Sequence, residues 1–246
     1  MSRIIRLGGV TIPLKEDRGY AALIRHGKDN RGKNTTWVNP PLSVVEVPRV
    51  LQLGGGLVEL LFSAKTFHSS TQRRCWQTLA HMLVHTGLMR RIPEIQQLEH
   101  PTEPLLSEEN ERAIDLSSDP DLKYYEVLFD EHSRTAVQGR FQAFLDALRH
   151  YCQVGPGNIL VVATHAIMET GLLALLMGKD YREMSTWDCV RHENAYPLGK
   201  PSLVLLEVGE ILQPILWNLQ APESGADWNE VVKTAMRSAV EIQRQL

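Results

Sequence analysis

Two short runs of uninterrupted apolar residues stand out along the chain. One covers residues 20–24 (YAALI) and the other covers residues 159–163 (ILVVA). A run of roughly 4–8 apolar residues is typical of a strand buried on both faces, as in a parallel sheet between helices. Polar residues end both runs abruptly, and these polar segments contain His26 and His165. The pattern therefore predicts two buried strands with a histidine just beyond each.

Apolar residues recur at helical spacing over much of the remaining chain. In residues 42–62 this pattern is interrupted by Pro48 and by the glycine triplet Gly54–Gly56. Residues 65–68 predict a short strand, and the Ser69-Ser70 pair behind it is a helix-start signal. Further helical patterns cover residues 76–83, 137–148, 172–176 and 228–244, and residues 202–208 and 211–217 predict a hairpin.

The alternation of strand and helix patterns indicates an α/β protein. We predict a three-layer α/β/α sandwich with a mixed, mostly parallel sheet. Residues 91–132 interrupt this order with a polar stretch that contains four prolines and no clean periodicity. Irregular segments of such length are commonly functional loops. The prediction is one domain over residues 1–246, with an insertion at about residues 91–132 that covers the carboxyl-end face of the sheet as a lid.

Composition excludes several classes of partner. The 246 residues are 43% hydrophobic and 22% charged, an ordinary balance for a globular domain. With 26 basic against 29 acidic residues, the net charge of −3 argues against a nucleic-acid binder with a basic face. Neither a membrane-spanning run nor a signal-peptide pattern is present, and three scattered cysteines are typical of reduced thiols. We expect a cytoplasmic protein with no nucleic-acid or membrane partner.

The two strand-end histidines meet if their strands are neighbours, because sites in α/β sheets form at the carboxyl ends of strands. Arg25 lies beside His26 and offers a planar guanidinium fork suited to phosphate oxygens. Arg74 lies in the first turn of the helix that Ser69-Ser70 is expected to start, and helix N-termini attract anions. A phosphoryl group in transfer needs such fixed positive charges. The residues therefore predict a phosphoryl site.

Three ordered segments connect the chain with a known family. They are residues 23–27 (LIRHG), 69–78 (SSTQRRCWQT) and 161–165 (VVATH). In this order and spacing they resemble the signatures of the histidine phosphatase superfamily, the group that includes phosphoglycerate mutases. The resemblance extends from about residue 20 to about residue 217, with Asn194-Ala195 matching a late asparagine of the family. It implies hydrolysis of phosphate monoesters on a small substrate or a phosphoprotein, without metal or cofactor.

The resemblance also implies roles for the site residues. His26 would attack phosphorus through one ring nitrogen, while a hydrogen bond to the other nitrogen fixes the neutral tautomer. A phosphohistidine would form and water would hydrolyse it. Arg25, Arg74 and His165 would hold the phosphoryl oxygens and stabilise the transition state. The Ser-to-Arg spacing selects Arg74 over its neighbour Arg73 for this role.

Substrate contacts are also expected from residues that depart from the family pattern. Ala166 follows His165 where relatives have glycine, and its backbone N–H is still available for binding. Gly32 occupies the position where mutase-like members have an asparagine, and Asn30 or Asn34 is the expected substitute. Lys28 also replaces a common glutamate. These departures favour a phosphatase over a phosphoglycerate-mutase-like phosphotransferase.

The proton donor of the family is an acid after the arginine-bearing helix. Glu99 fits by its distance from Arg74, and a donor is required because an alkoxide leaves poorly unless it is protonated. Glu94 and Glu103 compete for the role, since the Gly and Glu that follow the acid in relatives are missing. A non-catalytic member that binds a phospho-ligand or a protein therefore remains an alternative. His81 and His85 have helical i, i+4 spacing but no zinc-protease pattern, so a metal site is not expected.

Overall fold

The computed structural model describes residues 2–28, 39–99, 108–118, 123, 126–127, 134–153, 157–176, 178–179, 199–223 and 226–244. The strands are β1 (Ser2–Leu7), β2 (Val10–Lys15), β3 (Gly19–Arg25), β4 (Thr66–Ser70), β5 (Ile95–Leu98), β6 (Ile159–Thr164), β7 (Ser202–Val208) and β8 (Leu212–Leu219). The helices are α1 (Val47–Gly56), α2 (Val58–Ser63), α3 (Arg73–His85), α4 (Glu108–Asp115), α5 (Arg134–Gln153), α6 (Ala166–Leu176) and α7 (Trp228–Arg244), with 3-10 turns at Val44–Glu46 and Met89–Glu94.

A mixed sheet in the order β5-β4-β6-β3-β7-β8 forms the centre of the protein. The strands from β5 to β3 are parallel, and β7 and β8 are added to that arrangement in antiparallel fashion. The predicted mixed, mostly parallel sheet is therefore confirmed. β3 and β6 are direct neighbours, with Arg25 paired to Thr164, so the two apolar runs end level with each other.

Helices cover both faces of this sheet. Alternate residues of β3 enter opposite cores, Ala22 and Ile24 one and Ala21 and Leu23 the other, because successive side chains of a strand point to opposite faces. Residues from α1, α2 and α3 fill the first core, and residues from α5 and α6 fill the second. The resulting arrangement is the expected layer order of helix, sheet and helix. None of the described helices is long and apolar enough to cross a membrane.

The amino-terminal hairpin was not predicted. β1 and β2 form a separate two-stranded antiparallel sheet whose alternate residues are buried in the first core. Gly8 and Gly9 turn the chain with φ angles of 52° and 90°, which glycine adopts without a steric penalty. A Gly-Gly pair between alternating apolar residues is a hairpin signal, so the sequence did contain the information.

The glycine triplet forms the last three residues of α1, and the predicted break of the helical pattern follows directly at Leu57, before α2 begins. A Cβ on Gly54 would come within 3.1 Å of the Met82 side chain, and one on Gly56 within 2.3 Å of the Trp228 ring. The absence of side chains therefore allows α1 to approach α3 and α7 closely. Pro48 lies in the first turn of α1, where its missing N–H has no helical partner to lose.

The Ser69-Ser70 pair ends β4, so its interpretation as a helix start was wrong. α3 begins at Arg73, whose backbone N–H donates to Asn39 Oδ1 at 2.7 Å. Ser70 Oγ accepts a hydrogen bond from the backbone N–H of Gln72 at 3.1 Å. The serine therefore shapes the turn between strand and helix, two residues before the helix begins.

The described part of the polar interval of residues 91–132 contains an edge strand of the sheet and the helix α4. β5 lies within it and pairs in parallel with β4, with Ser70 opposite Leu98. Only Ile95 of β5 is buried, because an edge strand has one neighbour, and this explains why apolar periodicity did not reveal it. The role of the remaining interval as a lid stays a prediction.

Candidate active site

His26 and His165 lie side by side at the carboxyl edge of the sheet. The backbone N–H of His26 donates to the Thr164 carbonyl at 3.2 Å, which continues the β3–β6 pairing by one residue. The two ring centroids are 5.0 Å apart, with an interplanar angle of 64°. Both residues are buried, with 4% and 0% of their surfaces exposed. The neighbouring strands thus bring two histidines from distant sequence positions to one place.

Two contacts determine the tautomer of His26. Its Nδ1 lies 2.6 Å from the Gly27 carbonyl oxygen, which can only accept, so Nδ1 has the proton. The Nε–H of Arg74 donates to His26 Nε2 at 3.1 Å, so Nε2 presents its lone pair. His26 is therefore a neutral imidazole whose unprotonated nitrogen lies against a guanidinium.

The surroundings keep His26 neutral by lowering its pKa well below the ordinary histidine value. Burial is the largest cause, because it disfavours the charged imidazolium. Electrostatic repulsion from Arg74, His165 and Lys200 follows in that order, and the bond to the Gly27 carbonyl opposes it. An imidazole that stays unprotonated in water at neutral pH is available as a nucleophile.

Thr78 links the segment after His26 to α3. Its hydroxyl donates to the Arg74 carbonyl at 2.7 Å and accepts from the Gly27 backbone N–H at 3.2 Å. A Cβ on Gly27 would lie 2.7 Å from Leu42 Cδ1, so this position has no space for a side chain. The contacts hold the Gly27 carbonyl, and with it the His26 ring, in a fixed relation to Arg74.

His165 is surrounded by small polar side chains. Its Nε2 lies 2.9 Å from Ser70 Oγ and 3.3 Å from Cys75 Sγ. Cys75 and Ser70 are both fully buried. Cys75 is one of the three scattered cysteines, and its place directly after Arg74 was the signal that could have singled it out.

The other predicted phosphate-binding residues are Arg25, Arg74, Ala166 and Asn30. Arg25 ends β3 and has 6% of its surface exposed, and Arg74 in the first turn of α3 has 3% exposed. Arg73, its neighbour, is exposed. Ala166 is the first residue of α6, so its backbone N–H lies at a helix N-terminus. Asn30, like Asn34, lies outside the described residues.

The candidate acids occupy different edges of the sheet. Glu99 directly follows β5 at the carboxyl edge, and its side chain is 73% exposed with Oε2 at 3.6 Å from Arg140 Nη1. Glu94 precedes β5, so it lies at the opposite edge, where it pairs with Arg91 at 2.9 Å. Glu103 lies outside the described residues. Among the acids that the structure describes, Glu99 is therefore the better placed of the two candidates.

The described part of the chain contains no cluster of three or more His, Cys, Asp or Glu side chains that could hold a metal ion. His81 and His85 lie on α3, the first partly exposed and the second exposed.

The family model of the histidine phosphatase superfamily (branch 1) matches residues 21–196 of the chain. The chain belongs to this superfamily. Both histidines and Arg74 lie within the matched range. A search of curated proteins finds no match.

Solved structures with the same fold include two phosphatases and a mutase. A mycobacterial glucosyl-3-phosphoglycerate phosphatase is 17% identical, with 82% of this chain and 100% of that chain covered at a TM-score of 0.56. A phosphoglycerate mutase from Bacillus anthracis is 18% identical, with 89% and 98% covered at a TM-score of 0.56. The alpha-ribazole phosphatase from Shigella flexneri is 16% identical, with 83% and 98% covered at a TM-score of 0.55. At these identities the likeness establishes a shared fold.

Proposed function

We propose that this protein is a phosphatase that hydrolyses phosphate monoesters through a phosphohistidine formed on His26. The observation that supports this most directly is the state of that ring, neutral and with the lone pair of Nε2 facing the Arg74 guanidinium. A nucleophile for phosphorus needs such a lone pair, and the transferred group needs positive charge beside it. The hydrogen bond from Arg74 Nε to His26 Nε2 brings the lone pair and the positive charge together.

In the proposed first step a phosphate monoester binds with its phosphoryl oxygens on Arg25, Arg74, His165 and the Ala166 N–H. His26 Nε2 forms a bond to phosphorus as the bond from phosphorus to the ester oxygen breaks. The Arg74 contact with Nε2 gives way to contacts with the phosphoryl oxygens. Glu99 is the proposed donor of the proton that the departing alcohol takes up.

In the second step water attacks the phosphohistidine. The P–N bond breaks, inorganic phosphate leaves and His26 regains its lone pair, while the water proton passes to the carboxylate of the donor. The reaction as proposed needs no metal or cofactor, and its site lies in a cytoplasmic protein. Asn30 is a further proposed substrate contact, and the substrate is a small phosphorylated molecule or a phosphoprotein.

The test is hydrolysis of 4-nitrophenyl phosphate in buffer with EDTA, together with trapping of an acid-labile, base-stable phosphoenzyme by an alkaline quench. Wild-type protein should turn over and form the phosphoenzyme, and His26→Ala should do neither. His81→Ala is the matched control, since this histidine lies on α3 with its side chain partly exposed. Turnover that survives in His26→Ala, or that disappears with EDTA, contradicts the proposal.

A second candidate is a family member that binds a phosphorylated ligand without hydrolysing it. The exposure of Glu99 and its pairing with Arg140 favour this alternative, because a proton donor must reach the leaving oxygen. Wild-type protein that binds phosphate in calorimetry but hydrolyses no aryl or alkyl phosphate would support it. Turnover that depends on His26 excludes it.

A further inference from the structure

Two consecutive residues in the first turn of α3 contact the two histidines of the site. Arg74 Nε donates to His26 Nε2 at 3.1 Å, as described above. Cys75 Sγ lies 3.3 Å from Nε2 of His165 and 3.9 Å from its Nδ1. Cys75 is completely buried, so this contact exists away from water. The thiol therefore contacts the ring of His165, as the Arg74 guanidinium contacts the ring of His26.

The hydrogen bonds around His165 Nε2 determine which groups donate and which accept. Cys75 Sγ lies 3.5 Å from the Thr164 carbonyl, which can only accept, so the thiol proton points there while the sulfur packs against the His165 ring at Nε2. Ser70 Oγ accepts from the Gln72 N–H at 3.1 Å, which leaves its own hydroxyl proton for Nε2 at 2.9 Å. Because the buried Ser70 hydroxyl donates to Nε2, that nitrogen presents its lone pair and the ring proton lies on Nδ1.

The Thr164 carbonyl contacts both His26 and Cys75. Thr164 O accepts from the His26 backbone N–H at 3.2 Å and from the Cys75 thiol at 3.5 Å. Cys75 thus contacts both the ring of His165 and the peptide that precedes it. A side chain that contacts ring and backbone together restricts rotation of the ring.

We propose that Cys75 and Ser70 are positioning residues that hold Nε2 of His165, so that the proton on the other ring nitrogen, Nδ1, faces the phosphoryl oxygens. This inference rests on the proposed function, because it assigns the orientation of a proposed phosphate-binding group. Neither residue touches the substrate in this scheme. Their effect on catalysis passes entirely through His165.

The experiment is a double-mutant cycle between Cys75→Ala and His165→Ala, measured as kcat and KM for 4-nitrophenyl phosphate and as the inhibition constant of orthovanadate. Cys75→Ala alone should weaken kcat/KM and vanadate inhibition by about 3- to 10-fold, the range expected for one modest hydrogen bond. Cys75→Ser, which retains a small group able to donate to the Thr164 carbonyl, should remain within about 2-fold of wild type on the same scale. In the His165→Ala background, Cys75→Ala should have no further effect.

Cys152→Ala is the matched control. This thiol is also buried and also donates to a backbone carbonyl, that of Tyr20 at 3.4 Å, but it lies at the amino edge of the sheet. The Cys152→Ala variant should unfold at a lower temperature than wild type, as Cys75→Ala should, but keep the wild-type kcat/KM. Ser70→Ala, tested in the same cycle with His165→Ala, should show the same non-additivity with a larger single effect.

Several outcomes overturn the proposal. One is a Cys75→Ala enzyme that equals wild type, and another is an equal loss from Cys75→Ala whether or not His165 is present. If wild-type protein hydrolyses no phosphomonoester, the proposed function fails separately, and calorimetric affinities for orthovanadate then measure the same cycle. Wild-type protein that binds neither vanadate nor phosphate overturns both proposals.

Discussion

The carboxyl edge of the sheet has two contrasting regions. Where β3 and β6 end, His26, Arg74 and His165 are buried and have hydrogen-bond partners within the site. Where β5 ends, the Glu99 side chain is 73% exposed and pairs with Arg140 at 3.6 Å. The first region is held in place by packing before any substrate arrives. The second has an exposed ion pair, which is worth little in free energy and is easily rearranged.

The contrast separates two tasks of the proposed reaction. Binding and attack on phosphorus depend on groups whose geometry the core determines, whereas protonation of the leaving oxygen depends on a side chain that water still reaches. We therefore expect substitutions at the buried region to affect every substrate equally. The effect of substitutions at the exposed region should depend on the leaving group of the substrate.

Removal of the Arg74 guanidinium tests the buried region. Arg74→Ala should lower kcat/KM by about 10²- to 10³-fold, the usual loss for one preorganised charged donor in a transition state. Steady-state kinetics with an aryl and an alkyl phosphate should show the same factor for both. Arg73→Ala, the exposed neighbour, should stay within about 2-fold of wild type, as is usual for a surface charge. Equal losses at the two arginines would contradict the assignment of Arg74.

Neutralisation of the Glu99 carboxylate tests the exposed region. Glu99→Gln should lower kcat/KM by about 10²-fold with an alkyl phosphate, since general acid catalysis contributes at least this much for a poor leaving group. It should have little effect on kcat/KM with 4-nitrophenyl phosphate, whose leaving group needs no proton. Glu94→Gln, at the opposite edge of the sheet, is the control. A loss that is the same for both substrates would exclude Glu99 as the donor.

The electrostatic link between Lys200 and His26 predicts a shift in the pH profile. The positive charge of Lys200 contributes to lowering the pKa of His26, so Lys200→Met should raise that pKa. Catalysis requires the neutral ring, and the acidic limb of kcat/KM against pH should therefore move to higher pH. Lys65→Met, which removes an exposed charge at the amino end of β4, should leave the limb in place.

Burial of neutral His26 also predicts a smaller effect on stability. Its pKa is lowered in the folded protein, so the unfolded chain, with an ordinary histidine pKa of about 6.5, binds the proton first as the pH falls. The free energy of unfolding should therefore decline below about pH 6.5. Urea unfolding of His26→Asn should show a shallower decline, whereas parallel curves for the two proteins would contradict the buried neutral state.

Local patterns in the sequence were enough for most of the fold. The apolar runs at residues 20–24 and 159–163 are strands, and the helical patterns after them are helices. Such patterns are informative because a strand or helix with a buried face places its apolar residues at a fixed period. The edge strand β5 escaped this reasoning, because an edge strand buries few side chains. The close approach of α3 and α7 to the Gly54–Gly56 segment escaped it as well, because a glycine in a helix is explained only by the neighbour that packs against it.

The sequence by itself determined the class of protein and the residue types of its site, since motif order and strand-end histidines are properties of the linear chain. Only the tertiary structure decided which nitrogen of His26 presents a lone pair and that Cys75 lies against His165, 90 residues away in sequence. It also decided that Glu99 is exposed while Arg74 is buried. The physical reason is that tautomer, burial and contact depend on atoms contributed by β3, β6 and α3 together.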